Sequence, residues 1–556
     1  MRRFIFITGP SGSGKSAVGK ILAQKLGYEF LDTDEIIKQI SGKEIKDIFL
    51  QDGEDYFRFL EAKVIRDVVQ KEEGNFVVSL GGGAVINPQN LHAIRNNGIV
   101  INLLGKPEKL FERIKGSREE RPLLKGDSPE ERLKQLILQR EKWYKINDFY
   151  IDTTEKTPDE VAEEILNFLK LTLLVDFVRV NLADRSYDIV VGYKIFDNLD
   201  VLDYLSAKLK RIFPQARKTA ILSFHSIKDV MYSDEERVGE VILDFLSKLG
   251  LETFELNLPE GENTKDVFYA IYSWNYFSDL DIKKSDFLTL LGGGVIGDLG
   301  GFIAACWLRG IGYINIPTTL LSQVDSAIGG KTGVNTLKAK NMIGVIYQPS
   351  IVISDIKFVE TLPDLEFLSG MGEVIKYALS LSYELYEFLL KNKESILKRE
   401  PGHLKNVVSL SSSLKAKIVS EDEKEETGLR MILNAGHTIG HAIESSLGFS
   451  IPHGLAVALG LIAESKISSA ISGNSKVYDA AKQIFYEFFS GVDWSKFKKN
   501  IDRQKFFSSM KLDKKTRGSK LKFPVIVDVG KTEIYDIEID EFQKLSEYAL
   551  EDIEKL

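Results

Sequence analysis

Residues Phe4-Ile5-Phe6-Ile7-Thr8-Gly9-Pro10-Ser11-Gly12-Ser13-Gly14-Lys15-Ser16 decide the fold of the first part of the chain. Phe4–Thr8 is a short apolar, β-favouring run, Gly9–Ser16 matches G-x-x-x-x-G-K-[ST] in full, and an amphipathic helix is predicted from Lys15 to about Leu26. Strand, glycine loop and helix in that order make the match a phosphate-binding loop rather than a glycine-rich turn. The glycines let backbone N–H groups turn inward around phosphates, and the helix N-terminus adds partial positive charge. Gly12, Ser13, Gly14, Lys15 and Ser16 are thus the candidate ATP-binding set. Lys15 would neutralise the β and γ phosphates, and the Ser16 hydroxyl would ligate Mg2+.

Working outward, strands are predicted at Phe76–Leu80 and Ile99–Leu104 with helices between them, the alternation of a parallel sheet covered on both faces. Thr157-Pro158-Asp159-Glu160 reads as a helix start, with a cap, a proline at the first position and acids in the first turn; that helix runs to about Lys170. A new unit opens with strand-like runs at Leu174–Leu182 and Asp188–Val191 around the polar turn Ala183–Ser186. Further strands are predicted at Thr219–Ser223, Phe287–Leu291 and Tyr313–Ile316, with a helix near Asp234–Leu249. After about Pro363 long helical periods take over, at Glu366–Leu390, Pro401–Ser420 and Gly436–Ser446. The predicted class is α/β: a P-loop domain over 1–172 with a parallel sheet, an α/β domain over 173–360, and a mostly helical domain over 361–556.

Composition narrows the function. A chain of 556 residues is too long for one core. Its net charge of -8 argues against nucleic acid or an anionic membrane as partner, though not against small anions in local basic pockets. The single cysteine, Cys306, rules out an intrachain disulfide or cysteine metal cluster and fits a reducing compartment. The apolar start is too short for a signal peptide, and no later run is expected to reach the roughly 20 apolar residues that span a bilayer. The expectation is a cytoplasmic protein.

Several residues follow the loop at informative places. Asp32-Thr33-Asp34 comes just after the strand-like Tyr28–Leu31, where carboxylates can hold magnesium water and a substrate hydroxyl. Arg58 lies in Tyr56–Glu61, Gly81-Gly82-Gly83 directly follows a strand, Arg121-Pro122-Leu123-Leu124 sits in a charged stretch, and Arg140 lies on a helix beyond it. Singly each suits solvated surface or a turn. Together with the loop they suggest an anionic, hydroxylated acceptor clamped by arginines. Over its first ~170 residues, a usual domain length, the chain resembles the shikimate kinase family. Gluconate kinase is the nearest rival, and the Asp-x-Asp, Phe-Arg, triple-glycine and Arg-Pro-Leu-Leu set favours shikimate. The resemblance implies that Asp34, Arg58, Gly81, Gly82, Gly83 and Arg140 bind shikimate, with Asp34 orienting the 3-hydroxyl and accepting its proton. It implies that Asp32 acts through the magnesium shell, and that Arg121 closes over ATP and stabilises charge on the transferring group.

Three of the six histidines fall within Asn434–His453. His437 and His441 are four apart and share a helix face; His453 follows a glycine-containing turn. The glutamate of an H-E-x-x-H protease is missing, so a third metal ligand must come from elsewhere, and Glu373 is a candidate. The same spacing suits three polar histidines on or between helices. Leu291-Gly292-Gly293-Gly294-Val295-Ile296-Gly297-Asp298 reads as a dinucleotide-type phosphate turn without the G-x-G-x-x-G pattern. Lysines and an arginine recur in apolar or glycine-rich settings at Lys331, Lys340, Lys376, Lys415 and Arg430, suggesting an anion site.

From about Val175 these strings resemble the 3-dehydroquinate synthase family. The resemblance implies Glu373, His437 and His453 as ligands of Zn2+ or Co2+. It implies an NAD site from Glu262, Lys265, Gly293, Gly294, Asp298, Thr318, Thr319, Asp325, Lys331 and Lys340. Lys331, Asn341, Lys376, Arg430, Asn434, His441 and Lys514 would surround 3-deoxy-D-arabino-heptulosonate 7-phosphate, with Lys415 facing it across the metal. Arg309 would reach the phosphate in a neighbouring copy, which implies a homodimer through this part. The implied chemistry is oxidation at C5, loss of phosphate, return of the hydride, ring opening and aldol closure, with His441 relaying a proton at the C5 oxygen and NAD regenerated. A metal-dependent polyol dehydrogenase is the rival enzyme, but a polyol carries no phosphate to fill the lysine-rich site. The remaining alternative, a binding protein that has lost catalysis, is disfavoured by the intact Lys15, Asp34, Glu373, His437 and His453.

Overall fold

The computed structural model describes residues 3–115, 122–124, 128–144, 147, 149–336, 340–498, 501–511, 516–517 and 520–555. The chain divides into two compact units, Met1–Leu174 and Val175–Leu556.

In the first unit five strands form one sheet in the order Glu29–Asp32, Phe76–Ser79, Phe4–Thr8, Gly98–Leu104, Phe149–Asp152, every pair parallel. Phe4–Thr8 is central and buried throughout, as its unbroken apolar run requires of a strand covered on both faces. It feeds the helix Lys15–Leu26 through a loop whose Gly9, Gly12 and Gly14 have φ of 142°, 81° and 91°. A Cβ on Gly9 would lie 2.3 Å from the carbonyl oxygen of Leu103, so no other residue fits that turn. The last helix runs from Pro158 to Leu174.

The second unit holds a seven-stranded sheet in the order Val175–Val180, Tyr187–Gly192, Ile351–Asp355, Gly312–Pro317, Phe287–Gly292, Lys218–Phe224, Glu252–Leu258. Only the first pair is antiparallel, the hairpin around Ala183–Ser186; the others are parallel. Beyond it lie the helices Asp364–Leu381, Tyr383–Lys391, Pro401–Glu421, His437–Ser446, His453–Ser472 and Lys476–Phe489.

Three details differ from the sequence expectations. The single helix expected over 366–390 is two, because Ser382 has extended backbone and its hydroxyl accepts the N–H of Leu385, starting a new helix. The helical domain also carries an antiparallel hairpin, Lys520–Asp528 with Lys531–Glu538, turning at Val529-Gly530 with Gly530 at φ 81°. Finally, one helix, His453–Ser472, is apolar and long enough by length and composition to cross a membrane; 78% of that window is buried in the protein, so it is a core helix.

Candidate active sites

In the first unit the loop draws the predicted residues together. Lys15 Nζ folds back over it and donates to the carbonyls of Gly9 (3.0 Å) and Pro10 (3.2 Å). Ser16 Oγ donates to Asp32 Oδ2 at 2.6 Å, and the other oxygen of Asp32 accepts the N–H of Asp34 at 3.0 Å, capping the helix Thr33–Ser41. Asp34 points into the unit, and its Oδ1 is buried without a partner. Burial and the neighbouring Asp32 push its carboxyl up to about 6, with Lys15 opposing.

Gly81 opens the space in front of that oxygen: a Cβ there would lie 2.8 Å from Glu61 Oε1 and 2.9 Å from Asp34 Oδ1. Arg58 pairs with Glu54 and Glu61, each at 2.9 Å, and Arg140 Nη1 donates to the carbonyl of Gly82 at 3.2 Å. Glu61, 1% exposed with Oε1 unpartnered, belongs to this site and was missed in the sequence. Burial raises its carboxyl while Arg58 opposes. Its spacing of three from Arg58 on one helix was the available signal. Arg121 lies outside the described residues.

In the second unit three helices meet at a cluster of acids and imidazoles. Glu373 lies on Asp364–Leu381, His437 and His441 on His437–Ser446, and His453 begins His453–Ser472. The helices bearing Glu373 and His453 touch backbone to backbone, since a Cβ on Gly372 would fall 2.0 Å from the carbonyl of Gly454. Glu373 Oε1 stands 3.5 Å from His437 Nε2 and 3.3 Å from His453 Nε2. His441 joins them: each of the three imidazoles brings a ring nitrogen within 4.8 Å of the others. Both oxygens of buried Glu373 lack a well-aligned hydrogen bond, although Lys376 Nζ is 2.5 Å away. Donors about 2.1 Å from a tetrahedral ion are separated by about 3.4 Å, so this set fits a divalent metal. Electrostatics agree at Glu373 and His437, whereas at His453 burial is outweighed by the carboxylates of Glu373 and Glu444, which push the imidazole up to about 10, so a metal there must displace a proton. Burial would raise the Glu373 carboxyl, but the Lys376 ammonium holds it well below the usual range, so it is an anion. Burial holds His437 well below its ordinary value, leaving the neutral form that ligates metals.

A second set of residues pairs lysines and an arginine with carboxylates. Asp325 was expected along the cofactor; here it accepts from Tyr377 OH and pairs with Lys415 (2.9 Å) and Lys376 (3.4 Å). Those two lysines hold its carboxyl well below the usual range against its burial. Burial pushes the Lys415 ammonium down to about 8, while Asp325 opposes. Glu425, not anticipated, ion-pairs with Lys331 and approaches Arg430 Nε at 3.6 Å. It lies in the acidic run Glu421–Glu426, where nothing local marks one carboxylate out, so its pairing was not readable. Arg430 is buried and donates through Nη1 to the carbonyl of Glu423 at 2.7 Å. Asn434 ends the short helical turn Leu429–Asn434 that carries Arg430.

The glycine turn after Phe287–Gly292 opens the helix Gly294–Cys306 as expected of a dinucleotide site. Ser326 Oγ is buried without a partner beside it; a Cβ on Gly294 would lie 3.2 Å away. Thr318 N–H donates to the carbonyl of Gly292, and Thr319 packs on Gly293. Lys265 ion-pairs with Asp298, and Asn335 links the set by donating to Glu262 Oε1 (2.8 Å) and to the carbonyl of Lys265 (2.7 Å). Asn341 N–H donates to Asn335 Oδ1 at 2.9 Å, and Lys340 lies 4.5 Å over the Phe449 ring. Arg309 is exposed, in a turn where Leu308 and Arg309 both have positive φ (47° and 61°). Lys514 lies outside the described residues.

The two sites define a phosphoryl-transfer unit on a P-loop, followed by an α/β-and-helical unit whose centre suits a metal beside a dinucleotide turn. Residues 11–170 match the family model of shikimate kinase. Residues 255–369 and 370–516 match the N- and C-terminal models of 3-dehydroquinate synthase. The 3-dehydroquinate synthase of Thermodesulfovibrio yellowstonii is 38% identical over 371 residues, 66% of this chain and 98% of that protein. In fold, the chain is similar to a 2-deoxy-scyllo-inosose synthase solved with carbaglucose-6-phosphate, NAD+ and Co2+ (TM-score 0.59, 24% identity, 68% of this chain and 100% of that one). It is also similar to a 2-epi-5-epi-valiolone synthase of Streptomyces hygroscopicus solved with NAD+ and Zn2+ (TM-score 0.57, 21% identity, 66% and 97%). The chain belongs to the 3-dehydroquinate synthase family and carries a shikimate kinase domain ahead of the synthase, two enzymes of the shikimate pathway in one polypeptide.

Proposed function

We propose that the first unit phosphorylates the 3-hydroxyl of shikimate from ATP, and that the second converts 3-deoxy-D-arabino-heptulosonate 7-phosphate to 3-dehydroquinate and phosphate with NAD and a divalent metal. The observation that carries the synthase reading is Glu373: a buried anion whose Oε1 faces the Nε2 atoms of both His437 and His453, at 3.5 and 3.3 Å, while Lys376 Nζ stands 2.5 Å from Oε2.

In the kinase Lys15 exchanges the Gly9 and Pro10 carbonyls for the β and γ phosphates, and Ser16 and Asp32 serve Mg2+. Asp34 takes the hydroxyl proton as the substrate oxygen bonds to the γ-phosphorus and the bond from that phosphorus to the β–γ bridging oxygen breaks, releasing ADP. Arg58 and Arg140 hold the substrate carboxylate beside Gly81, Gly82 and Gly83, and Arg121 covers ATP.

In the synthase Glu373, His437 and His453 would hold Zn2+ or Co2+. Gly293, Gly294, Thr318 and Thr319 would line the NAD site, with Glu262, Lys265, Asp298 and Lys340 at its edges. When bound, NAD+ supplies a hydride acceptor and the metal a Lewis acid. Lys376, Lys415, Arg430 and Lys331 bind the substrate's anionic groups, with Asp325, Asn341, Asn434 and Lys514 around them. Glu425 releases Lys331 and Arg430 as the substrate takes its place. His441 moves the proton at the C5 oxygen. We assign 1–172 to the kinase, 173–360 to NAD binding and 361–556 to metal and substrate binding, in a cytoplasmic enzyme.

A homodimer through the synthase unit is part of the reading. Arg309 then completes the partner's site. The helix Val267–Asp279 leaves Val267, Phe268, Ile271 and Tyr272 exposed along one face, which a second copy would cover. Light scattering of the parent and of Phe268→Glu tests this, with a monomeric parent against it.

The activity test is phosphate release from the heptulosonate phosphate with and without chelator, beside ADP release with shikimate. Phosphate release that ignores the chelator, or net accumulation of NADH, contradicts the synthase reading.

A further inference from the structure

We propose that Glu444 and Glu464 are positioning residues that brace the two histidine-bearing helices against each other and thereby set the metal affinity of the centre. The proposal rests on the reading of His437 and His453 as ligands.

The brace is reciprocal. Glu444 lies on the helix His437–Ser446 and reaches the other helix, its Oε2 3.2 Å from His453 Nδ1. Glu464 lies on the helix His453–Ser472 and reaches back. Its Oε2 accepts the N–H of Gly436 at 2.6 Å, and its Oε1 accepts that of Ile439 at 2.9 Å. Both are buried, Glu464 completely (0% exposed) and Glu444 at 5%. A carboxylate taken out of water is costly unless charge-assisted bonds satisfy it, and each here has such a partner. Gly460, one turn before Glu464, allows the approach: a Cβ there would lie 2.0 Å from the carbonyl of Gly436.

Each histidine is fixed through its Nδ1, which turns its Nε2 toward Glu373. For His453 the anchor is direct. For His437 it runs through one peptide plane. The Gly436 N–H held by Glu464 shares that plane with the carbonyl of Ala435, and that carbonyl lies 3.2 Å from His437 Nδ1. A ligand imidazole whose second nitrogen is held by an acid or a carbonyl has its tautomer and ring orientation set, and its basicity raised. Glu444 and Glu464 thus do for the two imidazoles what neither helix does alone.

The test uses the full chain, stripped with chelator and titrated with Zn2+ against a competing indicator, and the visible spectrum of the Co2+-loaded form. Glu444→Gln is expected to weaken Zn2+ binding roughly 10- to 100-fold and to shift the Co2+ band, with the melting of the metal-free chain unchanged. Glu464→Gln is expected to weaken binding about tenfold, since an amide accepts only one of the two N–H groups well. If Glu464→Gln lowers the metal-free melting temperature, Glu444→Gln, which removes only a side-chain contact, decides alone. Parent-like affinity and spectrum in Glu444→Gln overturn the proposal, as does an affinity loss matched by a lower metal-free melting temperature. A parent chain that binds no Zn2+ or Co2+ at all sinks the metal reading itself, and the two failures are therefore distinct.

Discussion

Asp34 in the kinase unit and Glu373 in the synthase unit each hold carboxylate oxygen out of water, yet their proton affinities move in opposite directions. Burial raises both. The neighbours decide the outcome. Asp34 has Asp32 and Glu61 beside it, against Lys15, and its carboxyl stands near 6, where a proton acceptor works at neutral pH. Glu373 has the Lys376 ammonium beside it and stays ionised, as a metal ligand must. Burial alone therefore does not tell an acid–base group from a ligand; the sign of the nearest charges does.

The strongest way to break this contrast is to remove each carboxylate. Glu373→Ala should take heptulosonate-phosphate turnover to background and abolish tight Zn2+ binding; retained Zn2+ affinity would show that Glu373 is no ligand. Asp34→Asn should lower the kinase kcat about 10²- to 10⁴-fold, the span of a lost general base. The same variant should be more stable. The folded carboxyl, near 6 against a usual 3.8, binds more protons than the unfolded one between those values, so stability falls as pH rises through that window and the cost is complete above it. Asparagine removes that cost, so kinase-unit stability should rise by about 1–3 kcal/mol at pH 7 and not at all below pH 3.8. Melting curves at the two pH values check the sign, and equal gains at both would refute it.

How much of this was readable in the sequence follows from how local each feature is. The P-loop was readable because strand, glycines, lysine and serine are contiguous and each glycine has a local reason. Spacing singled out the histidines and left Glu373 a candidate third ligand, but the full ligand set came only through resemblance, since residues 373 and 453 meet through backbone contact at Gly372 and Gly454. Glu425 and Glu464 were not readable, and Glu61 offered only its spacing of three from Arg58. Each looks like an ordinary charged residue on a helix or loop until tertiary packing buries it or pairs it. Asp325 shows the same limit from the other side: its presence in the site was foreseen, but its bonds to Tyr377, Lys376 and Lys415 cross from one element to three residues on two others. The hairpin at Gly530 hid in a stretch read as helical, because Pro524 interrupts its alternation.

A milder pH effect separates the two units. Lys415, held down to about 8, loses its charge as pH rises through that value in the substrate-free enzyme, so affinity for the heptulosonate phosphate should fall there. Lys415→Arg keeps the charge and should shift that alkaline fall to higher pH. An alkaline limb identical in Lys415→Arg would assign it to another group.

The finest test concerns Glu61, which raises the Asp34 carboxyl through its charge. In the parent, kinase kcat/KM should decline as pH drops through about 6, because protonated Asp34 can accept no proton. Glu61→Gln removes a like charge and frees Arg58, now bound to Glu61 at 2.9 Å, to act on the site. Both changes favour the ionised form of Asp34, so the acidic limb should move to lower pH while the KM for shikimate changes through the altered Arg58. A limb that stays in place would mean that Asp34 owes its raised proton affinity to burial and Asp32 alone. The contrast with Glu373 would then rest on one neighbouring acid rather than two.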